Sequence, residues 1–143
     1  MIRSVSRSVL IAAPAATVFS LLSDARRHAD FDGSGTVKGS VRAPETLSLG
    51  ARFGMRMRLG IPYSITNEVV EFEQDRRIAW RHLGHHVWRY DLAAVEGGTE
   101  VTETFDWSSA RSPRALELAG YPTKNAAAIE ATLERLKELV EKG

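Results

Sequence analysis

Between residues 51 and 59 the side chains alternate without a break. Ala51, Phe53, Met55, Met57 and Leu59 share one parity, while Arg52, Gly54, Arg56 and Arg58 share the other. Successive side chains of a strand point to opposite faces, so this segment predicts a strand with one apolar and one wet face. Period two persists through the middle of the chain. Strands are expected over Thr36–Val41, residues 51–59, Tyr63–Phe72, Arg77–Leu83, Val87–Val95 and Thr99–Trp107. Gly60-Ile61-Pro62, Gln74-Asp75-Arg76, Gly84-His85-His86 and Glu96-Gly97-Gly98 separate them. Short glycine-bearing turns between such strands make an antiparallel meander.

Both ends depart from this pattern. Ser4–Ile11 reads as one more strand, and Pro14 suits a first helical turn, where its missing N–H costs nothing. Val18, Leu21 and Leu22 recur at i, i+3, i+4 and mark a short helix ending near Ser23-Asp24. Ala25–Asp32 forms a second, closed by Gly33-Ser34-Gly35. Arg114–Lys142 is rich in Ala, Leu, Glu and Lys, with Ile129, Leu133, Leu136 and Val140 on one stripe. Gly120-Tyr121-Pro122 must break or kink this helix near its start. An apolar sheet face and an apolar helix stripe bury each other. The expected fold is therefore α+β: a curved antiparallel sheet of about seven strands wrapped around a long C-terminal helix, with two short helices after the first strand.

At 143 residues the chain makes a single domain, 1–143, and 43% hydrophobic residues suffice for a sizeable core. Nineteen basic against eighteen acidic residues argue against a nucleic-acid or anionic-membrane specialist, which needs a positive excess on one face. The lack of cysteine removes disulfides, thiolate metal sites and thiol nucleophiles. Val9–Ala16 faintly resembles a secretory signal, but it is short, Pro14 interrupts it, and helical spacing continues beyond it. No stretch reaches the ~20 apolar residues of a membrane helix, so a cytoplasmic location without integral membrane association is expected.

If the long helix covers the apolar face, each strand sends alternate residues inward. Those sets are Phe53, Met55, Met57 and Leu59; Ile78, Trp80 and His82; Trp88, Tyr90 and Leu92; and Val101, Glu103, Phe105 and Trp107. His82 and Glu103 are polar members of apolar registers. A buried carboxyl must have a partner, be protonated or face a water-holding cavity; His82 is one candidate partner, and an arginine or tyrosine, with His82 at the sheet rim, is the alternative. Desolvation would then move both titrations toward the range used in acid–base chemistry. The strand 63–72 changes parity between Val69 and Val70, which a bulge would reconcile, with Asn67 pointing inward beside Tyr63 and Ile65. Tyr121 and Asn125 precede Ile129 on roughly the same helical face, where a ligand's polar head could meet them.

Other motifs carry less. His82, His85 and His86 form a histidine cluster, but adjacent rings in a tight turn diverge, so a solvated turn and no metal site are expected. Asp30-Phe31-Asp32-Gly33-Ser34-Gly35 lacks the closing glutamate of a calcium loop. Nothing matches a phosphate-cradling glycine loop. Arg52, Arg56, Arg58, Arg77, Arg81 and Arg89 could line one face, yet the aromatics fall on the opposite parity, which leaves a solvated outer surface rather than a nucleic-acid platform.

Three stretches together resemble a known family. They are Val9-Leu10-Ile11-Ala12-Ala13-Pro14 through Val18-Phe19-Ser20-Leu21-Leu22-Ser23-Asp24, Val70-Glu71-Phe72 through Arg76-Arg77-Ile78-Ala79-Trp80-Arg81, and Trp88-Arg89-Tyr90-Asp91-Leu92 through Gly97-Gly98-Thr99-Glu100-Val101-Thr102. In this order, followed by the long helix, they are similar to the helix-grip fold of START-like (SRPBCC) proteins, within the polyketide cyclase/dehydrase and lipid-transport group. Many relatives carry a tryptophan where this chain has Phe31-Asp32-Gly33. The resemblance implies a cavity between sheet and helix for a small hydrophobic molecule, lipid-like or polycyclic. Phe53, Met55, Met57, Tyr63, Trp80, Tyr90 and Phe105 would supply apolar surface, and Asn67, His82, Glu103, Tyr121 and Asn125 polar contacts. A cyclase or dehydratase would use Glu103 or His82 to remove a proton alpha to a carbonyl. A chaperone-partner module would have a filled interior instead. No cofactor is expected, and the chain is expected to be a monomer or weak homodimer.

Overall fold

The structure, a computed structural model, describes residues 2–34, 37–42, 44–82 and 84–142. Gly35, Thr36 and Leu83, which the sequence reading assigns to a turn and two strand ends, lie outside the described residues, as does the side chain of Leu59. Seven strands follow one another: β1 (Ser4–Ile11), β2 (Val37–Arg42), β3 (Arg52–Leu59), β4 (Ile61–Glu73), β5 (Arg77–Arg81), β6 (Val87–Val95) and β7 (Gly98–Asp106). They form one antiparallel sheet in the order β1-β7-β6-β5-β4-β3-β2. A meander thus runs from β2 to β7, and the first strand of the chain docks beside the last.

Alternation decides what each strand buries. On β3, Phe53 and Met55 are buried while Arg52, Arg56 and Arg58 are exposed. On β7, Val101, Glu103 and Phe105 turn inward. On β4, Ile65, Asn67 and Val69 are buried, and the pairing with β5 then slips between Val69 and Glu71. The extra residue is Val70, and this bulge is what allows Phe72, of the other parity, to pack edge-on against Phe19 at 5.6 Å.

Helix α1 (Ala15–Leu22) starts directly after Pro14 and buries Val18, Phe19 and Leu22. A 3₁₀ turn (Ala25–Arg27) follows, its first N–H groups capped by the Asp24 carboxylate, which accepts from the Arg26 backbone at 3.0 Å. It runs into α2 (His28–Phe31). After β7 come α3 (Pro113–Leu118) and α4 (Tyr121–Lys142), separated at Gly120, whose φ of 78° ends α3 in the left-handed conformation glycine accepts freely. Helix α4 packs against β1 and β7. The Arg7–Glu130 pair (3.0 Å) and the bond from the Ala12 N–H to Glu141 (2.9 Å) lay it parallel to β1.

The interior then divides in two. Ile11, Val18, Phe19, Leu22, Ile78, Val101, Leu133 and Leu136 form a solid core between α1, the sheet and the second half of α4. Removing a side chain such as Phe19 from this core should cost about 3–5 kcal/mol. The first half of α4 stands off the sheet and faces a cavity.

Candidate functional site

The cavity has a volume of about 760 Å³ and lies between the concave face of β3–β7, the segment after α2, and the first turns of α4. Its size is that of a site for a drug-sized molecule. Tyr63 on β4 and Tyr121 on α4 are both partly exposed and mark its opening to solvent.

Aromatic rings make most of the wall. The His28 imidazole stacks on Trp80 (4.7 Å between centroids, 21° between planes), and Trp80 leans on Tyr90 at 5.5 Å. Toward the β5–β6 turn, His82 stacks on His86 (4.6 Å, 20°), and His86 meets Phe105 edge-on at 5.3 Å. Trp88 tilts against Phe105 at 4.9 Å.

Polar groups interrupt this wall at a few points. Tyr90 and Glu103 face each other directly across the β6–β7 ladder. Burial pushes the Glu103 carboxyl up to about 8, with Tyr90 partly opposing and Asp32 adding to the rise. At neutral pH Glu103 is therefore mostly the neutral acid. The Tyr90 hydroxyl is pushed well above its ordinary range by burial and by Glu103, so it stays protonated. His28, His82 and His86 are each pushed down to about 4 by burial, which leaves three neutral imidazoles. His28 Nε2 bonds the Leu22 carbonyl at 2.8 Å. A carbonyl can only accept, so Nε2 carries the proton.

Four buried side-chain atoms lack a hydrogen-bond partner among the described residues: Asn67 Oδ1, His82 Nδ1, His86 Nδ1 and Glu103 Oε1. All four belong to residues that line this cavity. Unpaired buried polar atoms are rare in folded proteins because each one forfeits its hydration. Their concentration on one wall gives a bound molecule or water a set of polar contacts inside an otherwise apolar space.

The structure brings most of the expected residues together. Met55, Met57, Tyr63, Asn67, Trp80 and His82 line the cavity, and so do Tyr90, Glu103, Phe105, Tyr121 and Asn125. Phe53 does not. It is buried behind the wall, edge-on to His28 at 5.5 Å and to Trp80 at 5.7 Å, because the α2 residue His28 covers it. Of the two arrangements the sequence left open, the pairing of His82 with Glu103 is absent, and sheet order explains why. Strand β6 lies between β5 and β7, so Glu103 meets Tyr90, while His82, just past the end of β5, meets His86. His86 is thus no solvated turn residue. Only His85 turns away, with φ 68° and its Nε2 accepting from Arg111 at 3.1 Å.

Sequence reasoning overlooked His28, His86, Arg111, Lys124 and Thr132, all on the lining. Strand parity cannot reach them, since they sit on helices, turns and connecting segments. Among the described residues no cluster of three or more metal-binding side chains occurs.

The same architecture is found in solved proteins. Protein NE0264 from Nitrosomonas europaea matches with a TM-score of 0.78 at 14% identity, covering 97% of this chain and 94% of that one. The polyketide_cyc-like protein Cgl2372 from Corynebacterium glutamicum matches with a TM-score of 0.67 at 20% identity, covering 99% and 93%. At such identities the likeness is one of fold. The uncharacterized protein Rv0088 of Mycobacterium tuberculosis strain H37Rv is 41% identical over 145 residues, covering 97% of this chain. The chain spans 65% of that relative's length. Residues 3–141, which carry every strand, the cavity and almost all of α4, match the family model for polyketide cyclase/dehydrase and lipid transport. With its helix gripped by the sheet and its sequence matched from end to end, the chain belongs to the polyketide cyclase/dehydrase and lipid-transport family.

Proposed function

We propose that the protein binds one small, mostly apolar molecule in the cavity between sheet and α4. The carrying observation is that the orphaned polar atoms of Asn67, His82, His86 and Glu103 all belong to lining residues of this one space. Stability alone would favour filling the space with side chains and leaving no polar atom unpaired. Membership of a family whose description includes lipid transport supports the same reading. The affinity comes from apolar ligand area leaving water, at about 25 cal/mol per Å² before ordering costs. The polar atoms select orientation: the neutral Glu103 carboxyl offers a proton, and Asn67 Oδ1 offers an acceptor.

A titration with the neutral fluorophore N-phenyl-1-naphthylamine tests this. One equivalent should bind with enhanced emission, and Ala128→Trp, which fills the lining with an indole, should abolish binding while leaving the circular dichroism unchanged. Equal binding by this variant would place the dye elsewhere and remove the proposal.

A second reading, an enzyme of the cyclase or dehydratase type, is favoured by Glu103, a buried acid that titrates near neutrality. Its protonation state assigns it the role of acid rather than base. Protonation of a leaving hydroxyl or an enolate oxygen fits that state, whereas abstraction of an alpha proton at neutral pH does not. Turnover of a β-hydroxyketone abolished by Glu103→Gln would favour this reading over simple binding.

A further inference from the structure

Two cations stand on the lining of the cavity itself, at its rim. On the convex sheet face Arg77 meets Asp91 at 2.6 Å, Arg81 meets Glu68 at 3.1 Å and Arg89 meets Glu71 at 2.6 Å, while Arg56 and Arg58 stand exposed to solvent and enter no ion pair among the described residues. Arg111, on the segment leaving β7, and Lys124, in the first turn of α4, have no carboxylate within ion-pair distance among the described residues. Both line the cavity.

Neither cation dangles. The Arg111 backbone N–H donates to the Gly84 carbonyl at 2.9 Å, and its guanidinium donates to His85 Nε2 at 3.1 Å. The Ser109 hydroxyl donates to the His85 carbonyl at 2.8 Å, a third bond from the segment to the β5–β6 turn. His85 holds a left-handed backbone to make these contacts, a conformation a non-glycine residue adopts at some cost. The Lys124 ammonium stands 5.6 Å from the centre of the Tyr121 ring. An imidazole nitrogen and an aromatic face orient a cation without neutralising it.

The two cations lie at one end of the molecule. Arg111 follows the C-terminal end of β7, and α4, parallel to β1, begins at that same end. The acidic groups on the lining are Glu103, deep on β7, and Asp32, whose carboxylate is engaged by the Ser34 hydroxyl at 2.7 Å. The wall is thus apolar in its middle, uncharged or acidic on the sheet and α2 side, and cationic at the α3–α4 rim. With a net charge of only +1 the whole molecule has no general pull on anions, so the attraction is local to this rim.

We infer that the ligand is an anionic amphiphile, its apolar body among Trp80, Trp88 and Phe105 and its carboxylate at the rim with Arg111 and Lys124. The inference rests on the reading of the cavity as a ligand site and adds the charge of what enters it.

Two matched pairs of probes test it, one polycyclic and one linear: 1-pyrenebutyrate against 1-pyrenebutanol, and dodecanoate against 1-dodecanol, each kept below its aggregation threshold. The acid of at least one pair should bind about tenfold more tightly than its alcohol at low salt. The preference should shrink as salt is added. Arg111→Gln with Lys124→Gln should reduce the affinity for the acid to that for the alcohol and leave the alcohol unaffected. Lys124→Gln alone, which breaks no hydrogen bond, should remove part of the preference and guards against a folding effect of the Arg111 change. If alcohols bind as tightly as acids in both pairs, or if the double variant keeps the preference, the anionic assignment is overturned while the cavity stands. Failure of all four probes to bind overturns the ligand-site reading and this inference with it.

Discussion

Tyr90 and Glu103 stand directly opposite each other on β6 and β7, both buried, and burial pushes the Glu103 carboxyl up to about 8. The carboxyl's pKa is raised on folding, so its penalty follows a definite sign. Below pH 4.5 Glu103 is neutral in folded and unfolded chains alike, and folding costs nothing through it. Between 4.5 and about 8 the unfolded chain ionises and the folded one does not, so stability falls with rising pH. Glu103→Gln has no such penalty. Its stability relative to the parent should rise by about 1.4 kcal/mol per pH unit through that window and level off above it. Tyr90→Phe removes the hydroxyl that partly opposes the rise, so its window should extend to higher pH. Urea denaturation of the three proteins from pH 5 to 9 checks both. A difference between Glu103→Gln and parent that does not vary with pH would refute the buried neutral acid.

The acid side should be set by histidines. His28, His82 and His86 are all pushed down to about 4 by burial, from an ordinary 6.5. A depressed histidine contributes stability above pH 6.5, and the contribution is lost as pH falls toward 4, where the folded protein at last takes up the proton. His86→Phe keeps a ring against His82 and Phe105 but removes one titrating group and one orphaned nitrogen. The dependence of unfolding free energy on pH between 6 and 4.5 should lose about one proton in slope. An unchanged slope would mean that His86 is already solvated in the folded protein.

On the convex face, Arg89 donates two bonds to Glu71, at 2.9 and 2.6 Å, and reaches Asp106 at 3.4 Å. Arg89 holds the Glu71 carboxyl below the usual carboxylate range. Most surface pairs contribute little, but this one is bidentate and half-buried. A double-mutant cycle with Arg89→Ala and Glu71→Ala should give a coupling of about 1 kcal/mol at pH 7 that disappears as pH falls below 4. Arg56→Ala, at an exposed position on the same face of β3, should change stability by less than about 0.5 kcal/mol.

The sheet was legible because its signal is local. The alternation over residues 51–59 and the parity change at Val69-Val70 each correspond to a structural event, a strand with one wet face and a bulge. The apolar stripe of Ile129, Leu133 and Leu136 likewise carries the helix that the sheet grips. What parity could not supply was adjacency between strands. It placed His82 and Glu103 on the inner face but not in order across it, and β6 intervenes. Nor could it foresee residues carried inward by turns and short helices. His86 is drawn in when the β5–β6 turn closes through the His82 N–H bond to the His86 carbonyl at 2.9 Å, and His28 by the packing of α2 over Phe53 and Trp80.

The sharpest test of how the cavity is closed lies at Gly33. A Cβ built there would come within 2.5 Å of the Ala131 Cβ and the Thr132 nitrogen on α4. The Gly33 N–H donates to the Thr132 hydroxyl at 2.8 Å, which fixes the segment against the helix at that distance. Gly33→Ala must push the segment and α4 apart, because the obstacle is helix backbone rather than the tip of a flexible side chain. The cost should be about 1–3 kcal/mol. Asp32 and Ser34, on either side, both line the cavity, so the same displacement should also weaken probe binding. Gly50→Ala serves as the contrast: its φ of 83° makes the change strained, but no atom stands in the way. That variant should lose some stability and keep its affinity. If Gly33→Ala destabilises the fold yet binds N-phenyl-1-naphthylamine as tightly as the parent, the segment after α2 is a structural strap and forms no working part of the ligand wall.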